Sequence, residues 1–519
     1  MKTIIKNIVL LCAGMVAALS ASAQEMGNLL RHSQYNYSLS TPRSAAMGGA
    51  FTSLGADLSS MSMNPAGLGL YRSTEALISP QYTISSMDSN YGGMRANDSK
   101  SKFTLGSLGI AINVSQRSRG LVSFTLGIGY NKLVDFNTTQ RIDGANKTSM
   151  LHYLGNTVGG EDAALLGDFP APFDQLGLGQ YGGILAYQTW MLDETSPGSR
   201  IYVPHLLSGT KANMMLYNNN SGSVGEYVIS GGFNIDNLFY FGLSVGIQDL
   251  YFRNENVYYE VPSGDQGPVG LGGYRYTKSL VESGTGVNLK FGVMAMPVKN
   301  LRIGVAVHTP TFTSMENKYI ENMASSFNGG PSGDRTKNYY NFDSSPRVFN
   351  YDMNTAARLL SGISYALPGI GLISADYERV WYDGMRVKGT NDWSYEQDIK
   401  DQVKELCRPA NNFRVGLELT PTSRFFVRGG FAYYDCGMRY ADLIGISDYR
   451  LCINSYQNYS AGIGYRFSNN ISLDLTYVYT DYNYINSELY PYAADDPDNG
   501  FIKTDQSRHT IMMAFGIRF

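Results

Sequence analysis

The side chains best placed to do chemistry in this chain are charged residues set at alternate positions inside otherwise apolar segments. They are Lys290, Arg302, His308, Arg358, Asp376, Glu378, Arg414, Glu418, Arg428, Arg466, Asp474 and Arg518. A cation in such a place has two uses. It pairs with a neighbouring carboxylate and holds structure together, or it meets the anionic head of an amphipathic ligand, because a buried anion requires a cationic or multi-donor partner. Lys290, Arg358, Arg414 and Arg428 are the candidates for the second use, and spacing alone leaves both readings open. Catalysis has less support. It needs a base beside a nucleophile in a cleft. Of the five histidines, His308 is the one set well inside such a segment, and Thr309 follows it without a triad. The expectation is a chain that is not an enzyme and carries neither cofactor nor metal.

Other motifs are weaker still. Gly177-Leu178-Gly179-Gln180-Tyr181-Gly182 has the dinucleotide-binding spacing, but no strand–helix–strand unit surrounds it. Asp495-Asp496-Pro497-Asp498-Asn499-Gly500 is acidic enough for calcium yet misses the EF-hand ligand spacing, so a solvated turn is expected. Cys436 and Cys452 flank one predicted loop and are able to bridge its base, leaving Cys407 free.

The elements that must position the charged residues are strands. The chain ends Ile511, Met513, Phe515, Ile517, Phe519 on one side, with Met512, Ala514, Gly516 and Arg518 on the other, a period of two. The same alternation recurs at roughly the ten-residue length with which a tilted strand crosses a bilayer. It gives Glu75–Ser85, Lys102–Ser115, Leu121–Phe136, Gly225–Ile235, Leu238–Phe252, Thr277–Met296 and Arg302–Ser314. Asn354–Leu367, Gly371–Tyr382, Phe413–Thr420, Phe425–Cys436, Tyr456–Phe467, Ile471–Tyr484 and Arg508–Phe519 follow. About fourteen strands is an even number, as single-chain membrane barrels require. Short turns such as Asp236-Asn237 and Pro368-Gly369 alternate with long connections: Ser86–Ser101, Asn137–Val224, Arg253–Tyr276, Met315–Met353, Asp383–Asn412, Gly437–Ser455 and Ile485–Ser507. Of these connections, Phe173–Leu192 and Tyr395–Leu406 are expected to be partly helical. In each strand the charged residues fall opposite the apolar face, as they must, because a charge on the lipid side costs a few kcal/mol at the midplane. The fold class expected is all-β, a transmembrane antiparallel barrel.

Composition agrees. Only 16% of the 519 residues are charged and the net charge is −3, which argues against nucleic acid, for which a basic face is expected. Lys2 and Lys6, the apolar run Ile8–Leu19 and Ala21-Ser22-Ala23 make a secretory signal over 1–23, cleaved near Ala23. Residues 73–519 form the barrel, and a final strand closing on aromatic Phe519 is the usual signature read by the barrel assembly machinery. The expected place is the cell outer membrane, among its lipid and lipopolysaccharide.

Residues 24–72 do not alternate. They include Ser44-Ala45-Ala46-Met47-Gly48-Gly49-Ala50-Phe51 and Met63-Asn64-Pro65-Ala66-Gly67-Leu68. Small residues at this density allow backbone to pack closely in a confined space, which favours the lumen over the periplasm. On Met47-Gly48-Gly49-Ala50 and Asn64-Pro65-Ala66-Gly67-Leu68 the chain resembles the FadL-type outer-membrane transporters of long-chain fatty acids and other hydrophobic compounds. The strand count and terminal Phe519 agree over the mature length.

The resemblance implies that residues 24–72 form a hatch inside the barrel, with Asn64, Pro65, Ala66, Gly48 and Gly49 in it. It implies ligand capture by the outer loops, a pocket beside the hatch, and lateral release at a kinked third strand, where Gly127 and Gly129 would allow the distortion. The hydrophobic small molecule would cross passively. The alternative is an interaction protein, a secretion-system or surface-attachment component; haem uptake has no support from so few histidines.

Overall fold

In a computed structural model, the chain closes into one antiparallel barrel. The structure describes residues 29–115, 120–146, 148–207, 210–267, 270–329, 331, 337–390, 393–439, 455–487, 489–490 and 501–519. The signal segment, Cys452 and the acidic run 495–500 lie outside the described residues.

Fourteen staves form the wall. They are β1 (Glu75–Tyr91), β2 (Met94–Ser115), β3 (Leu121–Asp135, resuming as Thr138–Asn146), β4 (Ala212–Ile235), β5 (Phe239–Pro262) and β6 (Leu271–Val298). β7 comes in two parts, Leu301–His308 and Phe312–Phe327, as does β8, Arg347–Asn354 and Ala357–Leu367. β9 (Gly371–Trp381), β10 (Ala410–Leu419), β11 (Phe425–Tyr434), β12 (Tyr456–Arg466), β13 (Ile471–Ser487) and β14 (Ile502–Arg518) complete it. β14 pairs back onto β1 from Glu75↔Arg518 to Asn90↔Lys503, which removes the sheet's edges. No described helix is long and apolar enough to cross a membrane.

The alternation read from the sequence is the wall's own. On β5, Leu243, Val245 and Ile247 are exposed, while Tyr240, Ser244 and Gln248 are buried. The exposed row then changes to Asp249, where the apolar belt ends. Each predicted strand corresponds to one stave, but the outer ends differ. Ser86–Ser101 is a continuation of β1 and β2 joined by Gly92-Gly93, both at positive φ as a two-residue hairpin turn requires. β5, β6 and β7 likewise run far past the belt. Beyond the lipid the outward face meets water, so the ladder of backbone bonds continues while the hydrophobic period disappears.

Above the mouth lies a helical lid of α1 (Met150–Thr157), α2 (Ala163–Gly167), α3 (Ala171–Gln175) and α4 (Tyr181–Gln188). Leu151, Leu154, Ile184 and Leu185 share a core with Tyr276, Tyr319 and Met323 of the extended staves. Glu260 accepts bonds from Ser149 and from Met150 N at 3.1 Å, and Ser325 Oγ donates to Thr189 O at 2.7 Å. The Gly177–Gly182 run lies within this lid. The second predicted helix is α5 (Trp393–Leu406), burying Ile399 and Val403. Cys407 and Cys436 are free and buried, and burial pushes the Cys407 thiol up to about 12.

Candidate functional site

Residues 29–71 are buried almost throughout, packed against the inward faces of the staves. Asn64 organises one end. Its Oδ1 accepts from Ala66 N at 3.1 Å, capping the 3-10 turn Pro65–Leu70, and its Nδ2 donates to Thr52 O at 2.6 Å. The wall leaves room for this turn with glycines: a Cβ on Gly242 would sit 2.1 Å from the Pro65 carbonyl carbon. A Cβ on Gly292 would come within 1.9 Å of Asn64 Oδ1. At the other side Gly48 and Gly49 take φ of +64° and +75°. A Cβ on Gly48 would meet Phe431 O at 2.7 Å, so only glycine fits there. Replacing Asn64 with alanine is expected to cost about 1–2 kcal/mol, losing a cap and leaving Thr52 O unpaired. The urea midpoint of the refolded barrel in micelles measures it.

Polar contacts hold the same segment to the wall. Thr52 N donates to Asp376 Oδ2 at 2.8 Å, Ser374 Oγ to Ala50 O at 2.7 Å, Thr476 Oγ1 to Pro42 O at 2.8 Å, and His308 Nε2 to Met63 O at 2.7 Å. The four candidate cations belong to this scaffold. Lys290 pairs with Glu226; Arg358 and Arg414 share Glu378 at 2.9 and 2.7 Å; Arg428 pairs with Glu418 at 2.6 Å and with Asp474. Arg358 also donates to Ser33 O and stacks 3.9 Å from the Tyr35 ring centroid. Of the two uses open in the sequence, the geometry favours mutual pairing that ties wall to segment.

The wall departs from regularity at β3. Pairing with β2 ends at Ser107↔Asn131, so among the described residues Met94–Gly106 of β2 has β1 as its only ladder partner. β3 bulges between Lys132 and Val134, breaks at Phe136-Asn137, and resumes as Thr138–Asn146 against β4. This outer part lies on the lumen side of the β1–β2 hairpin, since Gln140 Nε2 reaches inward-facing Ser89 Oγ at 3.1 Å and Thr504 Oγ1 at 2.9 Å. Side chains, not backbone, span the interval: Thr139 Oγ1 donates to Asp98 Oδ2 at 2.9 Å, and Lys100 Nζ to Asn219 Oδ1 at 2.6 Å. Gly127 and Gly129 lie lower, in unbroken ladder on both sides. Their missing Cβ atoms make room for Met61, which would stand 2.6 and 2.7 Å away.

The break forms one side of a cavity of about 170 Å³. Its apolar surface comes from Leu39, Met87, Val134, Phe136, Phe252 and Tyr482, and its polar surface includes Arg31, Gln506 and Arg508. It lies beside residues 31–39; around Asn64–Ala66 the lumen is packed, with Asn64 at 1% and Ala66 at 0% exposure. Arg508 and Gln506 were not among the candidates, because the cavity is created by β3 leaving the ladder, which no local pattern announces.

A closed barrel filled by its own N-terminal segment, with an inner cavity where β3 leaves the ladder, defines the class by fold: a plugged β-barrel of the outer-membrane type. Among solved structures, the chain is similar to the toluene transporter TodX of Pseudomonas putida at 13% identity, covering 92% of this chain and 97% of that one with a TM-score of 0.52. It is also similar to a FadL homologue of Pseudomonas aeruginosa at 12% identity, 92% and 98% coverage and a TM-score of 0.53. The chain therefore shares the fold of the FadL-type barrels over its described length. No protein-family model matches it and no curated protein is matched.

Proposed function

We propose that this chain is a passive outer-membrane channel for hydrophobic small molecules. The observation that carries the reading is the parting of β2 from β3 beyond Ser107↔Asn131, with the cavity bordered by Phe136 on its inner side. A greasy molecule held there has a route sideways into the lipid that bypasses the packed lumen around Asn64–Ala66. Asn64, Pro65, Ala66, Gly48 and Gly49 serve as the fixed part of a hatch, holding residues 31–39 where they border the cavity. Capture falls to the lid and outer hairpins, and long-chain fatty acids are one substrate class that fits a part-apolar cavity. The fold shared with TodX and the FadL homologue supports transport of this kind.

One observation favours a second reading. The lid core is well packed and the lumen below it is filled, as expected of a surface platform for a protein partner. Native mass spectrometry of the barrel from mild detergent separates the two. Co-purifying hydrophobes, lost when Phe136→Asp is introduced, are the expected result; an empty cavity with a stoichiometric protein partner overturns the channel reading.

A further inference from the structure

The outward row of β9 ends on a cation and a tryptophan. Ile373, Ala375 and Tyr377 face out along the apolar belt, and Arg379 and Trp381 follow them on the same row. Tyr377 and Phe413 of β10 hold their rings 5.4 Å apart, the aromatic level at which a barrel's lipid-facing belt gives way to head groups. Arg379 stands one step above that level. Its Nη1 donates to Asn411 Oδ1 at 2.7 Å, and its cross-strand neighbours, Leu359 and Asn411, are both neutral. Other cations on the outer wall are matched within their own strand. Arg141 pairs with Asp143, Arg253 with Glu255 and Lys318 with Glu316, each time with a carboxylate two residues away. Two residues from Arg379 stand Tyr377 and Trp381 instead.

The positive charge continues outward. Arg386 and Lys388 face out on the short strand Arg386–Lys388, which pairs with Asn354 and Asp352 of β8. Arg386 donates to the Asp383 and Met385 carbonyls, and Asp352, opposite Lys388, accepts from Ser314 Oγ at 2.8 Å. Among the described residues, none of Arg379, Arg386 and Lys388 forms an ion pair. Basic side chains at head-group level attract anionic lipid, a guanidinium fork fits a phosphate with two parallel bonds, and an indole settles at the same depth. The geometry points to a lipid site on the outside of the barrel. The phosphate of an outer-leaflet lipid sits on Arg379 beside Trp381, with Arg386 and Lys388 adding positive charge above it. Its acyl chain descends over Tyr377 and Ala375, the small residue between Ile363 and Val415 in the ladder. A lipid held there fixes the depth of this sector of the wall. The inference rests on the outer-membrane placement proposed above and not on the passage of any molecule through the barrel.

The test is native mass spectrometry of the full barrel titrated with bisphosphorylated lipid A and with the same lipid stripped of its phosphates. Wild type is expected to retain the phosphorylated form about tenfold more tightly, the worth of a phosphate on an arginine fork at the interface. Arg379→Gln is expected to bring the two forms close to equality, and Arg379→Lys to keep part of the preference. Arg253→Gln removes a cation already paired with Glu255 and is expected to change nothing. Heat-modifiable electrophoretic mobility checks that each variant folds. Excess inorganic phosphate is expected to leave the lipid bound; displacement would make this a site for a free anion and overturn the lipid assignment. No preference in wild type, or an equal loss from Arg253→Gln and Arg379→Gln, overturns the site while the channel reading stands. Failure of the refolded barrel to insert into dilauroylphosphatidylcholine vesicles overturns the membrane placement and both readings with it.

Discussion

Replacing Glu378 with alanine is expected to destabilise the barrel by about 3–5 kcal/mol, the cost of removing one partner from a buried ion pair. Glu378 is fully buried and is the shared acceptor of Arg358 and Arg414, both at or below 1% exposure. Asn412 Nδ2 also donates to it at 3.1 Å. Its loss leaves two guanidinium groups facing each other in a space that excludes water, with Asp376 at 4.0 Å from Arg414 as the remaining carboxylate. The effect reaches the N-terminal segment too, because Arg358 is the donor to Ser33 O. Urea unfolding of the refolded barrel measures the change. Asp162→Asn is the comparison: its pair with Arg200 is more than half exposed at 3.2 Å, and its loss is expected to shift stability by less than about 1 kcal/mol. An equal effect from both substitutions would show that the Arg358–Glu378–Arg414 cluster is hydrated in the folded barrel.

The staves were legible wherever the sequence alternated between lipid and lumen. Leu243, Val245 and Ile247 mark β5 unmistakably because lipid demands an apolar side chain at every second position. The outer halves of β1, β2, β5 and β6 were read as loops because water makes no such demand; Gly92-Gly93 was the one local signal of a tight hairpin. Inward cations were legible one by one, but not their partners. Glu378 stands opposite Asn412 and Leu360, reaching Arg358 and Arg414 along the diagonal, and such diagonals depend on a register that strand periodicity leaves open. Arg508 carried a signal that went unused. It is the first residue of the last predicted strand and falls on its inward side, but its neutral neighbours Ser85 and Thr480 emerge only once the barrel is closed. The place where β3 departs was the least legible of all. Glycines attract attention in a strand, yet Gly127 and Gly129 accommodate Met61, while the break falls at Phe136-Asn137.

The second large effect concerns the route itself. If molecules pass between β2 and β3, then joining the two strands covalently across the interval stops passage while leaving the rest of the barrel untouched. Asp98 and Thr139 are the natural pair, since Thr139 Oγ1 and Asp98 Oδ2 already lie 2.9 Å apart and neither belongs to the buried ion-pair scaffold. The decisive measurement is uptake of a radiolabelled hydrophobe by cells whose only copy of the barrel carries Asp98→Cys and Thr139→Cys, before and after reduction. Uptake is expected at background when the cysteines are oxidised, with full recovery when a reductant opens the bond. Undiminished uptake through the oxidised barrel would contradict it, and would place the path through the lumen past Asn64–Ala66 instead.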